Sequence, residues 1–203
     1  MRIITGVAKG IKLKAPKGLD VRPTADRVKE SIFNILANMN LSMDRNAIIG
    51  ARVLDLFAGT GNLGLEALSR GAVHALFVDH SSVSLLATKE NISHTDLGEF
   101  AEIQRGDSLK TLDKLSQNGR SFTLVFLDPP YNQGLVNAVL QKLDTTNVVE
   151  HGGVIVVEHS KHEKLNMDWK YLKLVRDERY GETFVAFLMR DYDNTKNTTS
   201  GGI

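Results

Sequence analysis

From Arg52 onward the apolar residues fall into short β-rich runs separated by stretches with helical spacing. The runs are Val53–Phe57, Ala75–Val78, Ala101–Gln104, Phe122–Leu127 and Val154–Glu158, with helical stretches at Leu63–Arg70, Ser82–His94, Ser108–Gln117 and Leu135–Leu143. Such alternation predicts βαβ units and a mainly parallel sheet covered by helices on both faces. Leu124-Val125-Phe126-Leu127 is apolar without interruption, as a central strand should be. Lys170–Arg176 and Thr183–Met189 are also strand-like, but only Asp177–Glu182 lies between them. No crossover helix fits there, so they predict an antiparallel pair at the sheet edge.

Upstream the pattern changes. Residues 2–14 alternate loosely around Gly6 and Gly10, with Ile3, Ile4, Ile11 and Leu13 apolar, and predict a short β-hairpin. Thr24 to Met39 carries Val28, Ile32, Ile35, Leu36 and Met39 at the spacing of a one-sided helix, with Thr24 as its N-cap. The expected division is a hairpin extension over residues 1–23, an α/β domain over 24–190 and a polar tail over 191–203 that is expected to be disordered.

Composition narrows the function classes. A chain of 203 residues that is 42% hydrophobic and 24% charged suits one soluble globular domain and excludes collagen and wholesale disorder. It has no cysteine, which removes disulfides, thiolate nucleophiles, iron–sulfur clusters and cysteine-ligated zinc. The apolar runs are strand-sized, and Met1-Arg2-Ile3-Ile4-Thr5 does not open a signal peptide, so a cytoplasmic location is expected. Net charge is only +1, yet residues 1–30 hold eight Lys and Arg against three acids, a local +5 that leaves −4 for the rest. Lys9, Lys12 and Lys14 then form either a polyanion-binding edge or a solvated hairpin face.

Two stretches carry candidate chemistry. Val53 to Gly64 is a strand running into a glycine turn that opens a helix, and Gly59, Gly61 and Gly64 satisfy G-x-G-x-x-G. Asp79 lies 20 residues beyond Gly59, so a nicotinamide-dinucleotide fingerprint is formally met. Asp55 weighs against it. A carboxylate at the carboxyl end of the strand repels a pyrophosphate and attracts a cation, and S-adenosylmethionine carries an ammonium, a sulfonium and a ribose. The second stretch, Asp128-Pro129-Pro130-Tyr131, follows the central strand directly. Two prolines hold Asp128 and the Pro129 carbonyl in a rigid extended arrangement. Two fixed acceptors draw a conjugated amine towards a tetrahedral shape and aim its lone pair at an electrophile, while Tyr131 stacks on a planar substrate.

D-x-F-x-G-x-G at Asp55–Gly61 resembles the first motif of class I methyltransferases, and D-P-P-Y resembles that of methyltransferases acting on adenine N6, guanine N2 or glutamine amide. Together with Arg2–Gly6, Arg22-Pro23-Thr24-Ala25-Asp26-Arg27-Val28-Lys29-Glu30, Gly64-Leu65-Glu66-Ala67 and Tyr180-Gly181-Glu182-Thr183, these motifs are similar to those of the bacterial RsmD family. That resemblance runs from about Arg2 to Met189. It implies a Rossmann-like class I methyltransferase fold, with a mainly parallel seven-stranded sheet, an antiparallel C-terminal edge pair and an N-terminal β-hairpin. It further implies methyl transfer from S-adenosylmethionine to guanine N2 of small-subunit (16S) ribosomal RNA. The cofactor residues implied are Thr24, Asp55, Phe57, Gly59, Gly61, Asp79, His80, Asp107 and Ser108, and the catalytic ones Asp128, Pro129, Pro130 and Tyr131. Lys9, Lys12, Lys14, Arg22 and Arg27 are the expected RNA contacts, with Arg22, Thr24 and Arg27 alternatively on the methionine carboxylate. No metal and no membrane partner are expected, and a monomer is.

Alternatives remain open on sequence alone. Asp107 or Ser108 can simply cap the following helix. DNA adenine-N6 and protein glutamine-N5 methylation share the two core motifs, and an NAD-dependent oxidoreductase or a silent RNA-binding module lies further off. His159 and His162 are three apart without an acid pattern that completes a metal site, and Trp169 is expected to pack at the sheet edge.

Overall fold

Branched and aromatic residues concentrate where the chain must be buried on both sides, and those runs become the strands of one sheet. The computed structural model describes residues 1–15, 26–39, 46–130 and 134–191. Its elements are α1 (Asp26–Asn38), β1 (Arg52–Asp55), α2 (Asn62–Ser69), β2 (His74–Asp79), α3 (Ser82–Thr95), β3 (Ala101–Arg105), α4 (Ser108–Gln117), β4 (Phe122–Leu127), α5 (Leu135–Thr145), β5 (Val149–Ser160), β6 (Leu172–Tyr180) and β7 (Thr183–Arg190). The strands are ordered β3-β2-β1-β4-β5-β7-β6 in one sheet. β1 to β5 are mutually parallel, and β7 runs antiparallel to both β5 and β6, as the sequence pattern predicts.

Alternation along the central strands splits the core in two. Val53, Phe77, Leu124, Phe126 and Val156 pack towards α1 and α2, whereas Leu54, Leu76, Val125, Leu127 and Val157 pack towards α4 and α5. β5 is longer than its apolar run because it pairs with β4 on one side and with β7 on the other, as far as Ser160↔Thr183. The β6–β7 turn is shorter than expected. Tyr180 pairs with Thr183, so the loop is Gly181-Glu182, with Gly181 at φ +66. Asp177 to Arg179 extend β6 instead, since an edge strand tolerates exposed charge.

The N-terminal hairpin is minimal. One bridge joins Arg2 and Lys12, backed by Ile3 N–H donating to the Ile11 carbonyl at 2.9 Å and Gly10 N–H to the Ile3 carbonyl at 2.8 Å. Ile3, Ala8 and Leu13 are nevertheless buried in the α1-side core. α1 buries Lys29, Ile32, Phe33 and Leu36, a face rotated from the expected one, and leaves Val28, Ile35 and Met39 at its border. Arg22, Thr24, Tyr131 and the tail from 192 onward lie outside the described residues. Among the described residues no helix is long and apolar enough to cross a membrane.

Candidate active site

β1, β2, β3 and β4 end along one edge of the sheet, at Asp55, Asp79, Arg105 and Leu127. β1 is flanked by β2 and β4, so the strand order reverses there and a crevice opens at the carboxyl ends. The turn after β1 needs its glycines. Gly59 and Gly61 take φ +55 and +79, and a Cβ on Gly64 would lie 2.3 Å from Phe77 Cε1.

This loop grips two acids. Gly64 N–H donates to Asp55 Oδ2 at 3.0 Å. Gly59 N–H donates to Asp79 Oδ2 at 2.9 Å and Ser81 N–H to Asp79 Oδ1 at 2.8 Å. Asp55 is 3% exposed. Burial pushes its carboxyl up to about 7, with the Asp79 charge adding to the rise and the Gly64 N–H opposing it. A carboxylate held in this state is completed by a positive charge and repelled by a pyrophosphate. Two such acceptors therefore fit a ligand with a cationic end and a diol.

The other residues expected at the cofactor have structural contacts of their own. Asp107 Oδ1 accepts from Lys110 N–H at 3.0 Å, so it caps α4, and Ser108 is buried as the first helical residue. Phe57 packs against the α4 and α5 side of the core. His80 is exposed, with Nδ1 3.5 Å from Asp79 Oδ1.

Two α3 residues that the sequence reading passed over support the loop from behind. Thr88 Oγ1 donates to the Gly59 carbonyl at 2.9 Å, and Asn91 Nδ2 donates to the Thr60 carbonyl at 2.9 Å. Asn91 also holds the Lys14 backbone, accepting its N–H at 2.8 Å and donating to its carbonyl at 3.0 Å. Their signal was two polar residues three apart on the helix face that carries Leu85 and Ile92.

A buried ionic hub lies beside this support. Lys29 Nζ is 3.0 Å from Glu66 Oε2 and donates to the Asn62 Oδ1 at 2.7 Å and the Arg2 carbonyl at 2.6 Å. Glu66 accepts from the N–H groups of Ile4 and Thr5 at 2.8 and 3.0 Å and from Arg70 Nε at 2.7 Å. Burial pulls the Lys29 ammonium below its ordinary value, and the Glu66 charge opposes that shift. Asn62 opens α2 directly after the glycine turn, so the hub joins hairpin, α1 and glycine turn.

The three hairpin lysines do not converge on the crevice. Lys14 adjoins Thr60 through Asn91, and its Nζ lies 3.3 Å from Glu90 Oε2. Lys9 follows Val7 and Ala8, whose N–H groups bond Ser69 at the far end of α2. Lys12 sits on the Arg2 bridge, and Arg27 is exposed on α1.

β4 delivers the proline motif. Leu127 forms its last rung with Val157, and Asp128 follows half-buried, Pro129 buried and Pro130 exposed. His159 is buried, and its Nδ1 donates to the Ser160 and Glu163 carbonyls at 3.1 and 3.0 Å, because carbonyls only accept. Trp169 packs against the α5-side core. Among the described residues no three acidic, histidine or cysteine side chains are grouped to hold a metal.

A sheet ordered 3-2-1-4-5-7-6, with a glycine turn after its first strand, an acid ending its second and D-P-P after its fourth, defines a class I methyltransferase. Residues 1–189 match the family described as Conserved hypothetical protein 95. The chain is 40% identical over 186 residues to YlbH of Bacillus subtilis, a candidate rRNA methyltransferase, covering 92% of this chain and 97% of that one. It is 36% identical over 176 residues to the ribosomal RNA small subunit methyltransferase D of Haemophilus influenzae, covering 85% and 86%. The solved structure of the candidate methyltransferase yhhF from Escherichia coli aligns with a TM-score of 0.80 at 32% identity, over 94% of this chain and 98% of that one. The chain belongs to the RsmD family of methyltransferases.

Proposed function

We propose that this protein transfers a methyl group from S-adenosylmethionine to the N2 amine of a guanine in small-subunit (16S) ribosomal RNA. The observation that carries the reading is the placement of Asp128-Pro129 directly after β4, beside the β1 strand end at which Asp55 is buried. Small-subunit rRNA methyltransferases among the relatives supply the substrate class.

Bound S-adenosylmethionine supplies an electrophilic methyl on a sulfonium. Asp55 and the Gly59–Gly61 turn hold its cationic end, Asp79 its ribose hydroxyls, and Asp107 and Ser108 its adenine side, with Phe57, His80 and Thr24 completing the surround. Asp128 and the Pro129 carbonyl would accept hydrogen bonds from the two N–H groups of the target amine and so free its lone pair for the methyl. Pro130 keeps that segment rigid, and Tyr131 stacks on the base. As the N–CH3 bond formed, the S–CH3 bond of the sulfonium would break to leave a neutral thioether, and Asp128 would stabilise the ammonium-like nitrogen until its surplus proton passed to Asp128 or to water. Lys9, Lys12, Lys14, Arg22 and Arg27 meet the phosphates of the RNA, with Arg22 and Arg27 alternatively on the methionine carboxylate. The base must leave its stack to enter, so the target lies in a loop or bulge. The protein works in the cytoplasm as a monomer, without a metal.

The test offers radiolabelled S-adenosylmethionine with 16S RNA, assembled small subunits, duplex DNA and a glutamine-containing release-factor protein. Label on guanine N2 of the RNA or the subunit is expected. Label only on DNA or protein overturns the substrate assignment.

A further inference from the structure

Methylation at an amine following D-P-P does not by itself distinguish guanine from adenine, since both present an exocyclic amine beside a ring nitrogen. The ring nitrogen differs. Guanine N1 carries a proton, whereas adenine N1 offers a lone pair. A site that prefers guanine needs an acceptor fixed next to the group that holds the amine.

β5 provides one. The last rung between β4 and β5 is Leu127↔Val157, so Asp128 and Glu158 are the next residues on strands about 4.8 Å apart. Phe126 and Val156, two residues back on each strand, both face α1, and alternation puts Glu158 on that same face. Glu158 is only 7% exposed although it is an acid. Its backbone is held firmly. β4 has ended, but β5 continues against β7 through Glu158↔Val185, His159↔Phe184 and Ser160↔Thr183. The His159 ring then ties the strand end to the Glu163 carbonyl. Neither Glu158 nor Asp128 is free in the structure, so an incoming base must share or replace what each already holds.

We infer that Glu158 is the residue that selects guanine, its carboxylate accepting the N1 proton while Asp128 and the Pro129 carbonyl engage the N2 amine. Adenine would turn the lone pair of N1 towards that carboxylate. Glu158 is a specificity residue rather than a proton carrier for the transfer. The inference rests on guanine N2 being the site of methylation.

The test replaces the mapped target guanosine of a synthetic RNA by 2,6-diaminopurine riboside, which keeps the N2 amine and makes N1 an acceptor. Single-turnover methylation by the wild type should be at least about a hundredfold slower on diaminopurine than on guanine. Glu158→Gln should lose at least about tenfold on guanine while the preference ratio collapses, because the amide can turn its NH₂ towards N1. Glu158→Asp keeps the acceptor, so it should slow the reaction yet retain the preference. Equal wild-type rates on the two bases, or a Gln variant slowed equally on both, would overturn the role of Glu158. A wild type that leaves guanine N2 unmethylated in every RNA offered would instead overturn the substrate reading itself.

Discussion

Asp55 is a carboxylate whose charge depends on what arrives beside it. Its folded-state value of about 7 exceeds the ordinary 3.8, so between about pH 4 and 7 the folded chain keeps a proton that the unfolded chain has lost. The contribution of Asp55 to stability therefore declines as pH rises through that window and is level above it. Ligand binding runs the other way. A cation favours the ionised form, so binding of S-adenosylmethionine below pH 7 should release a proton, and affinity should climb with pH until about 7. Calorimetry at pH 6 in buffers of different ionisation enthalpy measures this release, and Asp55→Asn should abolish it. The position of Asp55 was legible in the sequence, as an acid closing an apolar strand before a glycine turn. Its protonation was not, because that follows from depth of burial and from the neighbouring Asp79, which only the folded crevice brings close.

At the scale of elements, the ionic hub of Lys29, Glu66 and Arg70 joins three segments distant in the chain. Lys29→Met leaves a fully buried Glu66 carboxylate with one cation fewer, and should destabilise the fold by about 3–5 kcal/mol in urea unfolding. Glu90→Ala, which breaks the exposed pair with Lys14, should cost less than about 1 kcal/mol in the same assay. The spacing of apolar residues gave α1 as a one-sided helix but placed its face slightly off, since a lysine is not read as core until its partners are known. β4 and α4 agree with the pattern residue for residue, because each is a self-contained run with a clear stop. β5 and β6 do not, because pairing with neighbours extends them past their apolar stretches.

At the scale of the whole molecule, strand order gathers Asp55, Asp79, Asp107 and Asp128 along one edge from four separate strand ends. The basic hairpin was harder to place. Its lysines are close in sequence, but the chain runs the length of α2, so the Lys14 backbone is joined to the glycine turn through Asn91 while Val7 and Ala8, just before Lys9, bond Ser69 at the opposite end. Asp128 lies one residue past the rung that sets β4 against β5, and the proposed reaction turns on it. The most direct test is the single-turnover rate of methyl transfer to 16S RNA by Asp128→Ala, with binding of S-adenosylmethionine measured on the same protein. Binding should be retained and the rate should fall by about a hundredfold or more, the loss expected on removing a fixed acceptor from the transition state. A variant that binds S-adenosylmethionine and methylates the RNA at the undiminished wild-type rate would contradict the account.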